Sequence, residues 1–161
     1  MKTVVVYSGG LDSTALLLDT KFKVQLHRTC DANNPECDEV LALSFNYGQR
    51  HSKELQVAAT ICDTLSIPHK VFDISALYQL CESPLMKTST GSIPQKAYAK
   101  HNDQERDRFG SVVTSIPARN LQFGLAAAIY AALIGYNRVV LAVHKTDGAY
   151  YAYPDCTPAA L

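Results

Sequence analysis

The sequence predicts an α/β fold, one domain built on an open, mainly parallel sheet with helices on both faces. Three observations carry this expectation. Apolar, β-branched runs near residues 2–7, 39–45, 69–74 and 138–143 are separated by stretches of helical periodicity, the pattern of strand–helix–strand units. The first run, Thr3-Val4-Val5-Val6-Tyr7, is apolar almost throughout, as in a strand covered on both faces. A glycine turn, Ser8-Gly9-Gly10, leads from that run straight into a helix start.

In chain order, Lys2–Tyr7 is the first strand, and a helix follows from Leu11 to about Thr20. Leu16, Leu17 and Leu18 are contiguous, so that helix is expected to be well buried. Phe22, Val24 and Leu26 alternate with polar residues, which suits a short edge strand or the exit of the helix. Residues 27–38 are polar and turn-rich and read as an inserted loop. His27, Cys30 and Cys37 raise the question of a metal there, but their spacing matches no common zinc site and a plain surface loop is expected. Glu39–Phe45 is the second strand. Ser52–Leu65 is a helix, with Leu55, Ala58, Ala59, Cys62 and Leu65 at three- or four-residue spacing. Ile67-Pro68 stops it, His69–Ile74 is the third strand, and Ser75 is expected to cap a short helix through Cys81. Residues 82–115 carry prolines, serines and charges with few large apolar residues, and read as a lid-like loop. Asn120 is expected to cap an alanine-rich helix, Leu121–Leu133, that Gly135 ends. Arg138–Val143 is the fourth strand.

Composition narrows the classes. The chain of 161 residues is long enough for one sizeable core, and at 47% hydrophobic residues it is globular rather than disordered. Lys plus Arg equals Asp plus Glu at 15 each, so no broad nucleic-acid or membrane surface is expected. Lys96, Lys100, Arg106 and Arg108 make at most a local basic patch. Five cysteines (Cys30, Cys37, Cys62, Cys81 and Cys156) are odd in number and irregularly spaced, which is no disulfide framework. With no signal peptide and no apolar run of bilayer length, a reducing cytoplasmic setting is expected.

The polar residues cluster where strands end. Ser8–Thr14 sits between a strand and a helix start, where backbone N–H groups and the positive end of the helix dipole favour an anion. No Lys follows the glycines, so this is not the Gly-Lys-Ser/Thr nucleotide loop, and without a third glycine it is not a dinucleotide fingerprint. A Gly-Gly pair alone would equally make a plain tight turn. Arg50 and His51 follow the second strand and would serve as surface charges or as nucleotide contacts. Arg119 is a cation at a helix N-terminus, against the dipole, which points to an anionic ligand. Asp147 and Asp155 are turn formers, magnesium ligands or acceptors for a purine-like ring, and His144 is ambiguous. In open parallel sheets such loops share one cleft at the carboxyl ends of the strands.

The full string Ser8-Gly9-Gly10-Leu11-Asp12-Ser13-Thr14 resembles the pyrophosphate loop of the ATP pyrophosphatase superfamily, whose members adenylate a substrate oxygen and release pyrophosphate. Phe45-Asn46-Tyr47-Gly48-Gln49-Arg50-His51, Ile116-Pro117-Ala118-Arg119-Asn120, Thr146-Asp147-Gly148 and Tyr153-Pro154-Asp155-Cys156 follow in order. Together they are similar to the 7-cyano-7-deazaguanine synthase family, over essentially the whole sequence. The resemblance implies a Rossmann-like fold of the adenine nucleotide alpha hydrolase type. It implies an ATP-dependent carbon–nitrogen ligase that converts 7-carboxy-7-deazaguanine and ammonia to the nitrile through an acyl adenylate. The product would enter queuosine biosynthesis or, in viral relatives, modified DNA.

The resemblance also implies roles. ATP would be held by Tyr7, Ser8, Gly9, Gly10, Leu11, Asp12, Ser13, Thr14, Gln49, Arg50 and His51, with Asp12 placing Mg2+. Asp12, Arg119 and Asp147 would be catalytic. Arg119, Asn120, Tyr153 and Asp155 would bind the deazaguanine, Asp155 accepting its N–H edge. The partners implied are small molecules and a second copy in a homodimer, with no direct nucleic acid and no membrane. Family members run on past Tyr-Pro-Asp-Cys into a four-cysteine Zn2+ site. That part is absent here, so zinc ligands are not expected, and a fragment or short form is. Loop 27–38 exceeds the family norm. The competing readings are another adenylating enzyme that modifies tRNA and a nucleotide-binding module without turnover.

Overall fold

The structure, a computed structural model, describes residues 1–26, 39–90 and 115–143. These form two compact units: 1–26, 39–46, 52–73 and 123–142 in the first, and 47–51, 74–90, 115–122 and 143 in the second.

The first unit holds the sheet. Strands β1 (Lys2–Val6), β2 (Glu39–Asn46), β3 (His69–Asp73) and β4 (Arg138–Leu141) lie in the order β3-β2-β1-β4. Every pairing is parallel, as expected. Helices α1 (Leu11–Leu26), α2 (Lys53–Thr64) and α3 (Arg119–Leu133) make the connections. β1 and β2 are central and buried on both faces, which is why they read as continuous apolar runs. Val5, Tyr7, Val40 and Ala42 pack with Leu17 and Val24 of α1 and Ala58 and Cys62 of α2. On the opposite face Phe45 stacks on Phe123 of α3, with ring centroids 4.5 Å apart. Phe72 meets Tyr130 edge-on at 4.8 Å.

α1 runs to Leu26, so the stretch from Lys21 is the exit of the helix and not an edge strand. The buried set is Ser13, Leu17, Thr20 and Val24, one turn apart each time. Leu18 and Phe22 are exposed, so the three-leucine run does not make the helix fully buried. After β3 a single 3-10 turn, Ser75–Tyr78, replaces the expected helix to Cys81; Ile74, not Ser75, occupies its N-cap. α3 begins at Arg119, so Asn120 lies inside its first turn instead of capping it. Its C-terminus follows the sequence: Gly135 has φ +75°, its N–H reaches Ala132 O, and Tyr136 N–H reaches Ala131 O at 2.8 Å.

The second unit has its own small core of Tyr78, Met86 and Ile116, flanked by Tyr47, Ile74, Cys81 and Leu85. Residues 82–90, the start of the expected lid-like loop, are folded here. Met86 bridges Gln49 antiparallel, Arg50 N–H donates to Leu85 O at 2.8 Å, and Lys87 N–H to Gly48 O at 2.9 Å. The rest of that loop, the insertion 27–38 and the tail from His144 lie outside the described residues. No helix among the described residues is long and apolar enough to cross a membrane.

Candidate functional site

The strand order places the first loop where it matters. From β1 the chain moves to β2 and β3 on one side, then returns to β4 on the other. The crevice beyond β1 is therefore the topological switch point, where open parallel sheets bind ligands. Ser8, Gly9 and Gly10 occupy it, between β1 and α1.

Gly9 is there for packing. Its φ is +82°, and a Cβ would stand 2.8 Å from Glu54 O and 3.3 Å from Ala58 Cβ. The turn is thus pressed onto α2, while Ser8, Gly10, Leu11 and Asp12 are exposed. The first turn of α1 carries the N–H groups of Leu11, Asp12 and Ser13, which lie ahead of any helical carbonyl acceptor; Thr14 N–H is the first to reach back, to Gly10 O at 2.9 Å. Asp12 in that turn complements the dipole, a structural role open to it with or without a cation.

The hydroxyls frame this loop. Ser13 Oγ is buried, accepts from Ser8 N–H at 3.3 Å, lies 3.0 Å from Ser8 Oγ and donates to Gly10 O at 3.0 Å. Thr14 Oγ1 donates to Gly10 O at 2.8 Å and lies 3.1 Å from the Tyr7 hydroxyl. Ser13 and Thr14 therefore hold the loop's own shape, and Ser8 and the exposed backbone are its open edge.

Beneath the loop lies a polar contact that sequence reasoning missed. Ser44, fully buried in β2, donates its hydroxyl to Tyr7 O at 2.5 Å. His69 Nε2 lies 2.8 Å from the same Oγ, and the His69 ring meets the Tyr7 ring edge-on at 6.4 Å. Burial lowers the His69 pKa, partly offset by the Asp63 carboxylate. The available signal was one polar residue inside an otherwise apolar strand, Val40-Leu41-Ala42-Leu43-Ser44-Phe45.

The other described site residues belong to the second unit. Gln49 is buried, and its Oε1 accepts the Tyr47 N–H at 3.0 Å, shaping the Gly48 turn. Arg50 donates through Nη2 to Ser89 O at 2.7 Å. His51 is exposed. The Arg119 guanidinium lies 6.0 Å from the centre of the Tyr47 ring, whose π face takes up some of the charge that opposes the α3 dipole. Ala118, just before it, has φ +52°. The structure thus brings Tyr7–Thr14 together in one group and Gln49, Arg50 and Arg119 into another. Asp147, Tyr153 and Asp155 lie outside the described residues.

A magnesium ion carried in with substrate phosphates needs only one or two protein carboxylates, and Asp12 at the open edge of the loop fits that demand. Among the described residues no group of three or more His, Cys, Asp or Glu side chains is placed to hold a metal.

Comparison with known proteins gives the family. Residues 2–161 match the family model described as queuosine biosynthesis protein QueC. The chain is 40% identical over 157 residues to the 7-cyano-7-deazaguanine synthase of Marinomonas sp. (strain MWYL1), covering 98% of this chain and 61% of that protein. It is 38% identical over 157 residues to synthase 1 of Colwellia psychrerythraea, with the same coverage. It is 36% identical over 158 residues to the synthase of Methanoregula boonei, covering 98% and 62%. The chain thus spans about three fifths of the length of the curated relatives it matches. A pyrophosphate-type loop at the switch point of a parallel sheet, with a family match along 2–161, places the chain in the QueC family.

Proposed function

We propose that this chain carries the ATP-using part of a ligase that converts 7-carboxy-7-deazaguanine and ammonia to 7-cyano-7-deazaguanine. The observation that carries the reading is the Ser8–Thr14 loop: hydroxyl-framed, pressed onto α2 through Gly9 and open at Ser8 and Gly10. ATP is a substrate in this reading. Its pyrophosphate portion lies against Ser8, Gly9, Gly10 and the first turn of α1, where the positive end of the helix dipole favours negative charge. Asp12 holds magnesium, which offsets the phosphate charge.

The substrate carboxylate attacks the α-phosphorus, the acyl adenylate forms and pyrophosphate leaves. Ammonia displaces AMP to give the amide. A second ATP adenylates the amide oxygen with release of a second pyrophosphate, and loss of AMP and of the amide protons then gives the nitrile. The protein positions the reactants and neutralises charge; a strong base is not required. Arg119 suits a carboxylate or phosphate through its planar fork, and its contact with Tyr47 holds the guanidinium in one place. Arg50, His51 and Asn120 contact nucleotide or substrate, and Asp147, Tyr153 and Asp155 complete the set on the strength of the motif resemblance. The reading places the enzyme in the cytoplasm as a homodimer, with small molecules as its substrates.

The test is pyrophosphate release by the purified chain. Sustained release over many turnovers is expected to require both 7-carboxy-7-deazaguanine and ammonium, and release that needs neither would overturn the reading. Stimulation by tRNA would move it to a tRNA-modifying relative.

A further inference from the structure

Ser44 is fully buried in the middle of an apolar strand. A buried hydroxyl is costly unless its hydrogen-bonding capacity is used. Its single hydrogen goes to Tyr7 O at 2.5 Å, so toward His69 Nε2 at 2.8 Å the oxygen must accept. The order is therefore fixed: His69 Nε2–H donates to Ser44 Oγ, whose hydrogen is donated to Tyr7 O. A hydroxyl that accepts a bond is polarised into a better donor.

Tyr7 directly follows β1, where the loop begins. Its N–H still reaches Leu43 O at 2.8 Å, as a strand residue would, but its carbonyl goes to the Ser44 side chain. The Tyr7–Ser8 peptide is planar and trans, so the direction of the Tyr7 carbonyl dictates the opposite direction for the Ser8 N–H. That N–H meets Ser13 Oγ, the hydroxyl that also touches Ser8 Oγ and Gly10 O. The Ser44 hydroxyl thus sets the plane of the first peptide of the loop. The Tyr7 hydroxyl meanwhile reaches Thr14 Oγ1 at the loop's far end. With Tyr7 held at its N–H, carbonyl and hydroxyl, the loop has little freedom to rotate.

We propose that Ser44 and His69 are positioning residues for the anion-binding loop, acting through the Tyr7 carbonyl and never touching the ligand. The proposal rests on the phosphate-loop reading given above. It follows that removing either group releases the Tyr7–Ser8 peptide and weakens binding of a phosphate ligand without altering any group that contacts it.

The experiment measures binding of inorganic pyrophosphate to the full chain by calorimetry, beside far-UV circular dichroism of each variant. Ser44→Ala and His69→Leu are expected to weaken binding roughly tenfold, the effect of losing a net hydrogen bond of ordinary strength. His69→Gln keeps an N–H donor and is expected to restore most of the affinity. Ser44→Thr and Ser44→Val form a near-isosteric pair with the same packing load, so tighter binding by the Thr form reads the hydroxyl alone. Folded Ser44→Ala and His69→Leu chains that bind pyrophosphate as tightly as the wild type would overturn the proposal and leave the loop reading standing. Failure of the wild-type chain to bind pyrophosphate would overturn both.

Discussion

Gly9 and Glu54 approach so closely that a Cβ on the glycine would stand 2.8 Å from the glutamate's backbone oxygen. The obstacle is helix backbone, which cannot swing aside, and the φ of +82° adds strain for any L side chain. Gly9→Ala is therefore expected to destabilise the chain by at least about 2 kcal/mol in urea unfolding, and to abolish pyrophosphate binding.

Gly135 offers the contrast. It also has a positive φ, +75°, but nothing lies within 4 Å of where its Cβ would be. Only the backbone penalty applies, so Gly135→Ala is expected to cost about 1 kcal/mol by the same urea measurement. It lies beyond the α3 C-terminus, and pyrophosphate binding is expected to be unchanged.

His69 predicts a pH dependence. Burial lowers its pKa in the folded chain, so the unfolded chain takes up the proton first as pH falls. The stability linked to this group is fully present above its ordinary value near 6.5 and is lost as pH drops from there through the lower folded value. Melting temperatures of wild type and His69→Gln are expected to run parallel above pH 7 and to diverge below pH 6, about half a unit to either side of the unperturbed value, the wild type falling more steeply.

Cys62 is expected to be inert. Burial, helped by the Asp63 charge, pushes its thiol up to about 11, so at pH 8 only about one molecule in a thousand carries the thiolate. A variant retaining Cys62 alone of the five cysteines is expected to resist a disulfide reagent when native and to react promptly in urea.

The parallel sheet was legible because β1 and β2 are covered on both faces, and such strands must be apolar at every position. The Gly9 turn was legible because a left-handed residue pressed onto a helix leaves little alternative to glycine. The length of α1 was obscured by Leu18 and Phe22, which face solvent and break the apparent period, while Ser13 and Thr20 take buried positions. The start of α3 was misplaced because Asn120 is a good cap by residue type, yet the positive φ of Ala118 sets the boundary one residue before it.

What the sequence by itself determined is the alternation of strands and helices and the loop between β1 and α1, since these follow from periodicity and backbone freedom over a few neighbouring residues. What only the tertiary structure decided is the strand order β3-β2-β1-β4, which makes the end of β1 a switch point, and the meeting of Tyr7, Ser44 and His69. Those residues lie 37 and 25 positions apart in turn, and a hydrogen bond depends on distance in space, of which linear spacing holds no record.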